Sequence, residues 1–200
     1  DLQEGVTQEA MSLAGHIGLS KLIVLYDSND IQLDGPVSWA NSENTKQKFE
    51  SMNWQYIFVE NGEDTDDINK AIIQAKNDLE KPTIIEIKTI IGHGSPDAGD
   101  SETHGAPIGE EKAAKTRKTL DWDYEPFDIP KEVYEDFQKK NNEKGLMRCL
   151  EWHEKLDEYR RSYPEESKIL DSVLNETFEM DFDDIFSQYA KKASIATRSS

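Results

Sequence analysis

The run Asp27-Ser28-Asn29-Asp30-Ile31 places oxygen donors at a spacing that suits a hard divalent cation. Such an ion takes oxygen ligands, in octahedral array when it is small. The Asn29 side-chain oxygen and the Ile31 backbone carbonyl, two residues further on, can serve one ion from a single tight loop. A diphosphate would supply two more oxygens, and an aspartate elsewhere another. The same residues also suit an ordinary polar turn after a buried strand, because Asp and Asn are frequent turn formers. Spacing alone leaves both readings open.

A second candidate is His104, in Thr103-His104-Gly105-Ala106-Pro107. A histidine followed closely by Gly and Pro in a long loop is no core residue. It can donate to a phosphate or shuttle a proton near neutral pH, or it can be a plain surface histidine. His93 lies between two glycines past a strand end, and no chemistry is expected of it. His16 and His153 fall on helical patterns and read as structural or surface residues. Glu4 and Glu9 flank the start of the first helix, where acidic side chains are favourable in themselves; a carboxylate at a subunit interface is the sharper alternative. Glycine loops of the Rossmann or P-loop kind, a nucleophile elbow and zinc-ligand spacings are absent from the sequence.

Position along the chain decides which candidates deserve weight. Val6, Ala10, Met11, Leu13, Ala14 and Ile17 repeat at helical spacing, with Gly18 as the stop. Leu22 to Tyr26 is a continuous apolar run, expected for a strand buried on both faces. A weakly amphipathic helix is expected over 43–52, a strand over 56–59 and a helix capped by Asp64 or Thr65. Ile68, Ala71, Ile72, Ala75 and Leu79 form that helix's apolar face. A third strand is expected over 83–90. This alternation predicts an α/β fold with a parallel sheet covered by helices on both faces. Ligands in such sheets bind beyond the carboxyl ends of the strands. Those ends are Asp27 to Asp30, Asn61-Gly62, and Ile91 to Gly94. A long loop, Ser95 to Ile108, follows, then a helix from Glu110 to about Leu120. Beyond it, 131–140, 147–161 and 165–178 read as helices separated by Pro or Gly with no strand between them.

Composition bounds the partners. The chain has 200 residues, 36% hydrophobic and 32% charged, with a formal net charge of -18. That charge argues against a nucleic-acid backbone or an anionic membrane surface as partner. No apolar run is long enough to span a bilayer. Cys149 is the one cysteine, which excludes an internal disulfide and fits a reducing, cytoplasmic setting. Asp1 and Ser200 both look like cut ends, so the chain is expected to be an internal piece of a larger enzyme.

Three stretches carry a family resemblance: LQEGVTQEAMSLAGHIGLSKLIVLYDSNDIQLDG, GHGSPDAGDSETHGAPIG, and WDYEPFDIPKEVYEDF with the later IATR. Together they resemble transketolase, in order, over nearly the whole chain. The His-Gly-Ala-Pro loop is the more specific part; the metal motif is common to many thiamin-diphosphate enzymes. The resemblance implies an incomplete thiamin-diphosphate-binding fold followed by a helical linker. Residues 1–124 would be the C-terminal part of the diphosphate-binding domain, 125–192 the interdomain linker, and 193–200 the start of the pyrimidine-binding domain. It further implies that Asn29 binds Mg2+ (or Ca2+) and the diphosphate, and that the Ile31 carbonyl binds the metal. Leu33 and Ile91 would pack against thiamin diphosphate. His104 would contact the diphosphate and substrate hydroxyls, Arg198 the sugar phosphate, and Glu4 and Glu9 the link between the two cofactors of a homodimer. The family's motif opens with Gly-Asp-Gly, which would lie immediately ahead of Asp1 and carry the metal's carboxylate ligand.

The activity so implied is reversible transfer of a two-carbon ketol unit from a ketose phosphate to an aldose phosphate, a reaction of the pentose phosphate pathway. The fragment by itself is expected to be inactive. A related thiamin-diphosphate enzyme such as dihydroxyacetone synthase fits the same motifs. A non-catalytic α/β interaction module is the alternative outside enzymes, and intact Asn29 and His104 count against it.

Overall fold

The computed structural model describes residues 2–177 and 182–187. The chain divides into two compact units, 1–123 and 124–200. In the first, the elements run α1 (Gly5–His16), β1 (Ile23–Ser28), β2 (Ile31–Gln32), β3 (Gly35–Pro36), α2 (Thr45–Ser51), β4 (Gln55–Val59), α3 (Thr65–Asn77), β5 (Thr83–Lys88) and α4 (Gly109–Thr119). The second holds α5 (Lys131–Lys140), α6 (Met147–Ser162), α7 (Pro164–Leu174) and α8 (Phe182–Ser187).

β1, β5 and β4 form a parallel sheet in that spatial order, with Ile23 and Gln55 both in register with Thr83. Alternation along the strands sends Ile57, Val59, Ile85 and Ile87 to one face, where they pack with Ala71 and Ala75 of α3. Ile84 points to the other face and packs with Ala14 of α1, Phe49 of α2 and Trp54. Helices therefore cover both faces, as the alternation of elements requires.

Local chemistry accounts for the helix limits. Asp64 caps α3 by accepting from the N–H groups of Asp66 and Asp67 at 3.0 and 3.1 Å. Asn44 caps α2 by accepting from Gln47 N–H at 2.9 Å, and Phe49, 1% exposed, anchors that otherwise polar helix. Gly18, at φ +66°, takes the left-handed turn that closes α1.

The expectations for β1 and β5 need correction. β1 continues through Asp27 and Ser28, because its ladder with β5 extends to the pairs Asp27–Ile87 and Ser28–Lys88. β5 ends at Lys88 rather than at residue 90. Nor is β1 buried on both faces. It lies at the sheet edge, where Leu25, on the face that α3 covers over the other strands, remains 52% exposed.

The second unit holds only helices among its described residues. Pro164 opens α7 at its first turn, where a missing N–H costs nothing. Gly145 does not separate two helices: α5 continues into α6 through a π-helical stretch, Asn141–Leu146. Arg160 of α6 donates to both carboxylate oxygens of Asp171 in α7, at 2.6 to 3.2 Å, which ties the two helices together. Ile195 to Arg198, expected to open a further domain, lie outside the described residues.

Candidate functional site

The carboxyl ends of β1 and β5 carry the candidate site. Asp27 and Ser28 are the last residues of β1, and the chain then turns sharply through Asn29 and Asp30 into β2. Asp30 takes φ +64°, a conformation that Asp and Asn tolerate better than most residues. Its carboxylate pairs with Lys88 at the end of β5. The Asn29 side-chain oxygen accepts from the Ile31 N–H at 3.0 Å, closing the turn. Asn29 Nδ2 donates to Asp27 Oδ2 at 3.5 Å, and Thr89 Oγ1 donates to Asp27 Oδ1.

The β2–β3 ribbon determines where the Ile31 carbonyl points. Ile31 faces Pro36, while the N–H of Val37 donates to the Asp30 carbonyl at 2.7 Å. Bonding at that flanking position makes Ile31 and Pro36 a non-hydrogen-bonded pair, so the Ile31 N–H and C=O both point out of the ribbon. The N–H meets Asn29 Oδ1 on that side. An amide oxygen and a main-chain carbonyl thus lie along one edge of one loop. This is an oxygen-only donor set of the kind that suits a hard cation.

The His104 loop reaches the same place. Its residues 101–104 form a single 3-10 turn that lies against β2. Asp100 caps this turn through Glu102 N–H at 2.9 Å. Two further ties hold the loop: Gly99 N–H donates to the Ile91 carbonyl at 2.8 Å, and Lys112 of α4 pairs with Asp97. The hydrogen bond to Asp97, and then its charge, raise the Lys112 pKa. Gly92, at φ +64°, allows Thr103 to approach so closely that a Cβ would sit 2.9 Å from the Thr103 methyl. The His104 side chain is exposed.

Among the other candidates, Ile91 is half-buried just past β5, and Leu33 is 70% exposed at the ribbon tip. Glu4 occupies the N-cap position of α1 without a side-chain bond to the helix, and Glu9 is exposed further along it. No described hydrogen bond or ion pair ties either glutamate to the Asn29 loop. His93 lies 3.4 Å from Glu63. Arg198 lies outside the described residues.

The residues behind the site escaped the sequence reading. Glu86, in the middle of β5, accepts from Ser28 Oγ and from Tyr56 OH, both at 2.8 Å. It bridges β1 and β4 across the sheet, through Ser28 near the strand end that carries Asn29. Burial, then the Glu86 bond and charge, push the Tyr56 phenol pKa up. Beside Glu86 lies a cavity of about 450 Å³, lined also by Leu2, Gln3, Ser28, Asp30 and Phe49. A carboxylate inside the apolar run Thr83 to Ile87 was the visible signal; only strand pairing names its partners.

The transketolase thiamine diphosphate binding domain family matches residues 1–178. The chain belongs to this family. The transketolase of Bacillus subtilis is 45% identical over 202 aligned positions, which cover 100% of this chain and 30% of the relative. That of Geobacillus stearothermophilus is 43% identical over the same share of each. Among solved structures, transketolase from Leishmania mexicana aligns with a TM-score of 0.83 and 34% identity, covering 98% of this chain and 28% of that one. Transketolase from Pichia stipitis, solved in complex with sedoheptulose-7-phosphate, aligns at a TM-score of 0.82 and 31% identity over 92% of this chain and 27% of that one. The chain therefore spans about 30% of the length of the curated relatives it matches. It is a fragment of a thiamine-diphosphate-binding domain from an enzyme family, and its α/β sheet is the incomplete form of that fold.

Proposed function

We propose that this chain supplies one half of the metal–diphosphate site of a transketolase. The enzyme would catalyse reversible transfer of a two-carbon ketol unit between sugar phosphates in the cytoplasm, as a homodimer in the pentose phosphate pathway. The observation that carries the proposal is the shared edge of Asn29 Oδ1 and the Ile31 carbonyl, with the His104 turn packed beside the same ribbon. In this reading residues 1–124 belong to the diphosphate-binding domain, 125–192 to the interdomain linker, and 193–200 to the start of the pyrimidine-binding domain.

Asn29 Oδ1 and the Ile31 carbonyl would hold Mg2+ (or Ca2+), with the Asn29 amide also facing the diphosphate. His104, free of the core and fixed through its loop, would donate to a phosphate oxygen and to substrate hydroxyls. Leu33 and Ile91 would offer apolar contact to the rings and exclude water. Arg198 would grip the sugar phosphate with its planar guanidinium, and Glu4 and Glu9 would join the two sites of a dimer. Thiamin diphosphate, when bound, supplies carbanion chemistry that no side chain here offers. The Pichia stipitis transketolase complex with sedoheptulose-7-phosphate supports a sugar phosphate as the substrate class.

The test is a His104→Ala variant of the full-length protein in a ketol-transfer assay. A raised KM together with a lowered kcat is expected. Unchanged kinetics would remove His104 from the site.

A further inference from the structure

We infer that Asp27 is the positioning residue for Asn29, anchored by Thr89 so that the amide presents its oxygen to the metal side of the loop. This inference rests on the metal–diphosphate reading above and adds a residue to it.

An asparagine amide has two orientations related by a half-turn, one presenting oxygen and the other nitrogen. A metal ion is served by only one of them. Asn29 sits between an acceptor and a donor, and each enforces the same choice. On one side the Asp27 carboxylate can only accept, so it must face the Asn29 NH2; that contact is 3.5 Å. On the other side the Ile31 N–H can only donate, so it must face the Asn29 oxygen, at 3.0 Å. Reversing the amide would set nitrogen against N–H and oxygen against carboxylate.

The carboxylate must itself be fixed for this to work. Asp27 is the penultimate residue of β1 and pairs in register with Ile87, so its backbone is held by the sheet. Its other oxygen accepts from Thr89 Oγ1, one residue past β5. The side chain is thus tied to the neighbouring strand end as well as to its own. The Thr89 N–H donates to the Ser28 carbonyl at 3.4 Å, which keeps the two strand ends abreast. A chain of hydrogen bonds then runs from Thr89 through Asp27 and Asn29 to Ile31, whose carbonyl lies on the metal side. Asp27 acts through Asn29 as a positioning residue and not as a metal ligand.

The test uses the full-length protein and reads thiamin diphosphate–Mg2+ affinity by calorimetry, with the melting temperature of the cofactor-free protein as a check on folding. Asp27→Ala should weaken binding about five- to tenfold, the effect of one lost orienting hydrogen bond. Asp27→Asn should keep most of the affinity, because an amide at 27 can still accept from Asn29 and contact Thr89. Unchanged binding in D27A overturns the inference. So does an equal loss in D27A and D27N, which would assign Asp27 a charge role rather than an orienting one. Should D27A lose its fold, Thr89→Val decides, since it frees the carboxylate without removing it: a drop supports the inference and no change overturns it. Asn29→Ala separates the two levels. If N29A leaves binding intact, the metal–diphosphate reading fails; if N29A abolishes binding while D27A does not alter it, only the positioning inference fails.

Discussion

Gly15 lies in α1 and packs against the turn at residues 52–54, and its replacement by Ala sets two known effects against each other. Helix propensity favours the change, since Ala is better than Gly in a helix interior by about 1 kcal/mol. Packing opposes it. A Cβ on Gly15 would collide with the Met52 carbonyl oxygen and stand 2.9 Å from Trp54 Cδ1 and 3.0 Å from the Met52 carbonyl carbon. Backbone cannot swing aside like a side-chain tip, so α1 must move away from the sheet. That motion strains the bond from Trp54 Nε1 to the Met11 carbonyl, 2.8 Å long, and the bond from Asn53 Nδ2 to the Gly15 carbonyl, 3.3 Å long. Trp54 is 2% exposed, so its N–H finds no water once the bond breaks. An unsatisfied buried donor costs about 1–3 kcal/mol and overpacking a further ~1–3 kcal/mol. After subtracting the propensity gain, G15A should be destabilised by about 3 kcal/mol. Urea unfolding followed by circular dichroism measures this as a lowered midpoint. Gly5→Ala, in the same helix with open space around it, serves as the control and should be neutral or slightly stabilising. A G15A midpoint equal to or above that of the parent would refute the argument that this close approach holds α1 on the sheet.

Glu86→Leu should cost about 2–3 kcal/mol, because it strips the acceptor from the buried Ser28 hydroxyl and from Tyr56, while Glu86→Gln should cost less; urea midpoints compare the two. Tyr56 also makes a pH prediction. Its folded pKa is raised, so the unfolded chain ionises first as pH climbs. The stability Tyr56 contributes is complete below about pH 10, the ordinary phenol value, and is lost as pH rises from there. Tyr56→Phe should therefore be less stable than the parent at neutral pH, and the gap should narrow above about pH 10. A gap that widens instead would show that Tyr56 keeps no proton advantage in the fold.

Much of the fold was legible from local pattern. The apolar runs 22–26, 56–59 and 83–87 and the periodic face of Ile68, Ala71, Ile72 and Ala75 identify a parallel sheet with covering helices, since period and run length follow directly from backbone geometry. Asp64 and Gly18 announced helix ends through side-chain chemistry and backbone freedom that act within a few residues. Gly145 misled for the opposite reason: its local preference against helix was overridden by the continuous run from α5 through to α6. Asn29, Ile31 and His104 stood out as types and spacings, and the resemblance gave them roles.

Tertiary structure decided what lies next to what. No local rule states that β5 lies between β1 and β4, yet that order brings Thr89 to Asp27 and Glu86 to both Ser28 and Tyr56. It also leaves Leu25 uncovered at an edge. Nor does spacing reveal that the His104 turn folds back onto β2, or that the Ile31 carbonyl faces outward because its partner across the ribbon forms a non-hydrogen-bonded pair. The sequence by itself determined the residue types and spacings on which the proposed metal–diphosphate half-site draws. Pairing between strands distant in the chain determined how those residues are held, because hydrogen-bond partners and amide orientations depend on neighbours that only the folded sheet supplies.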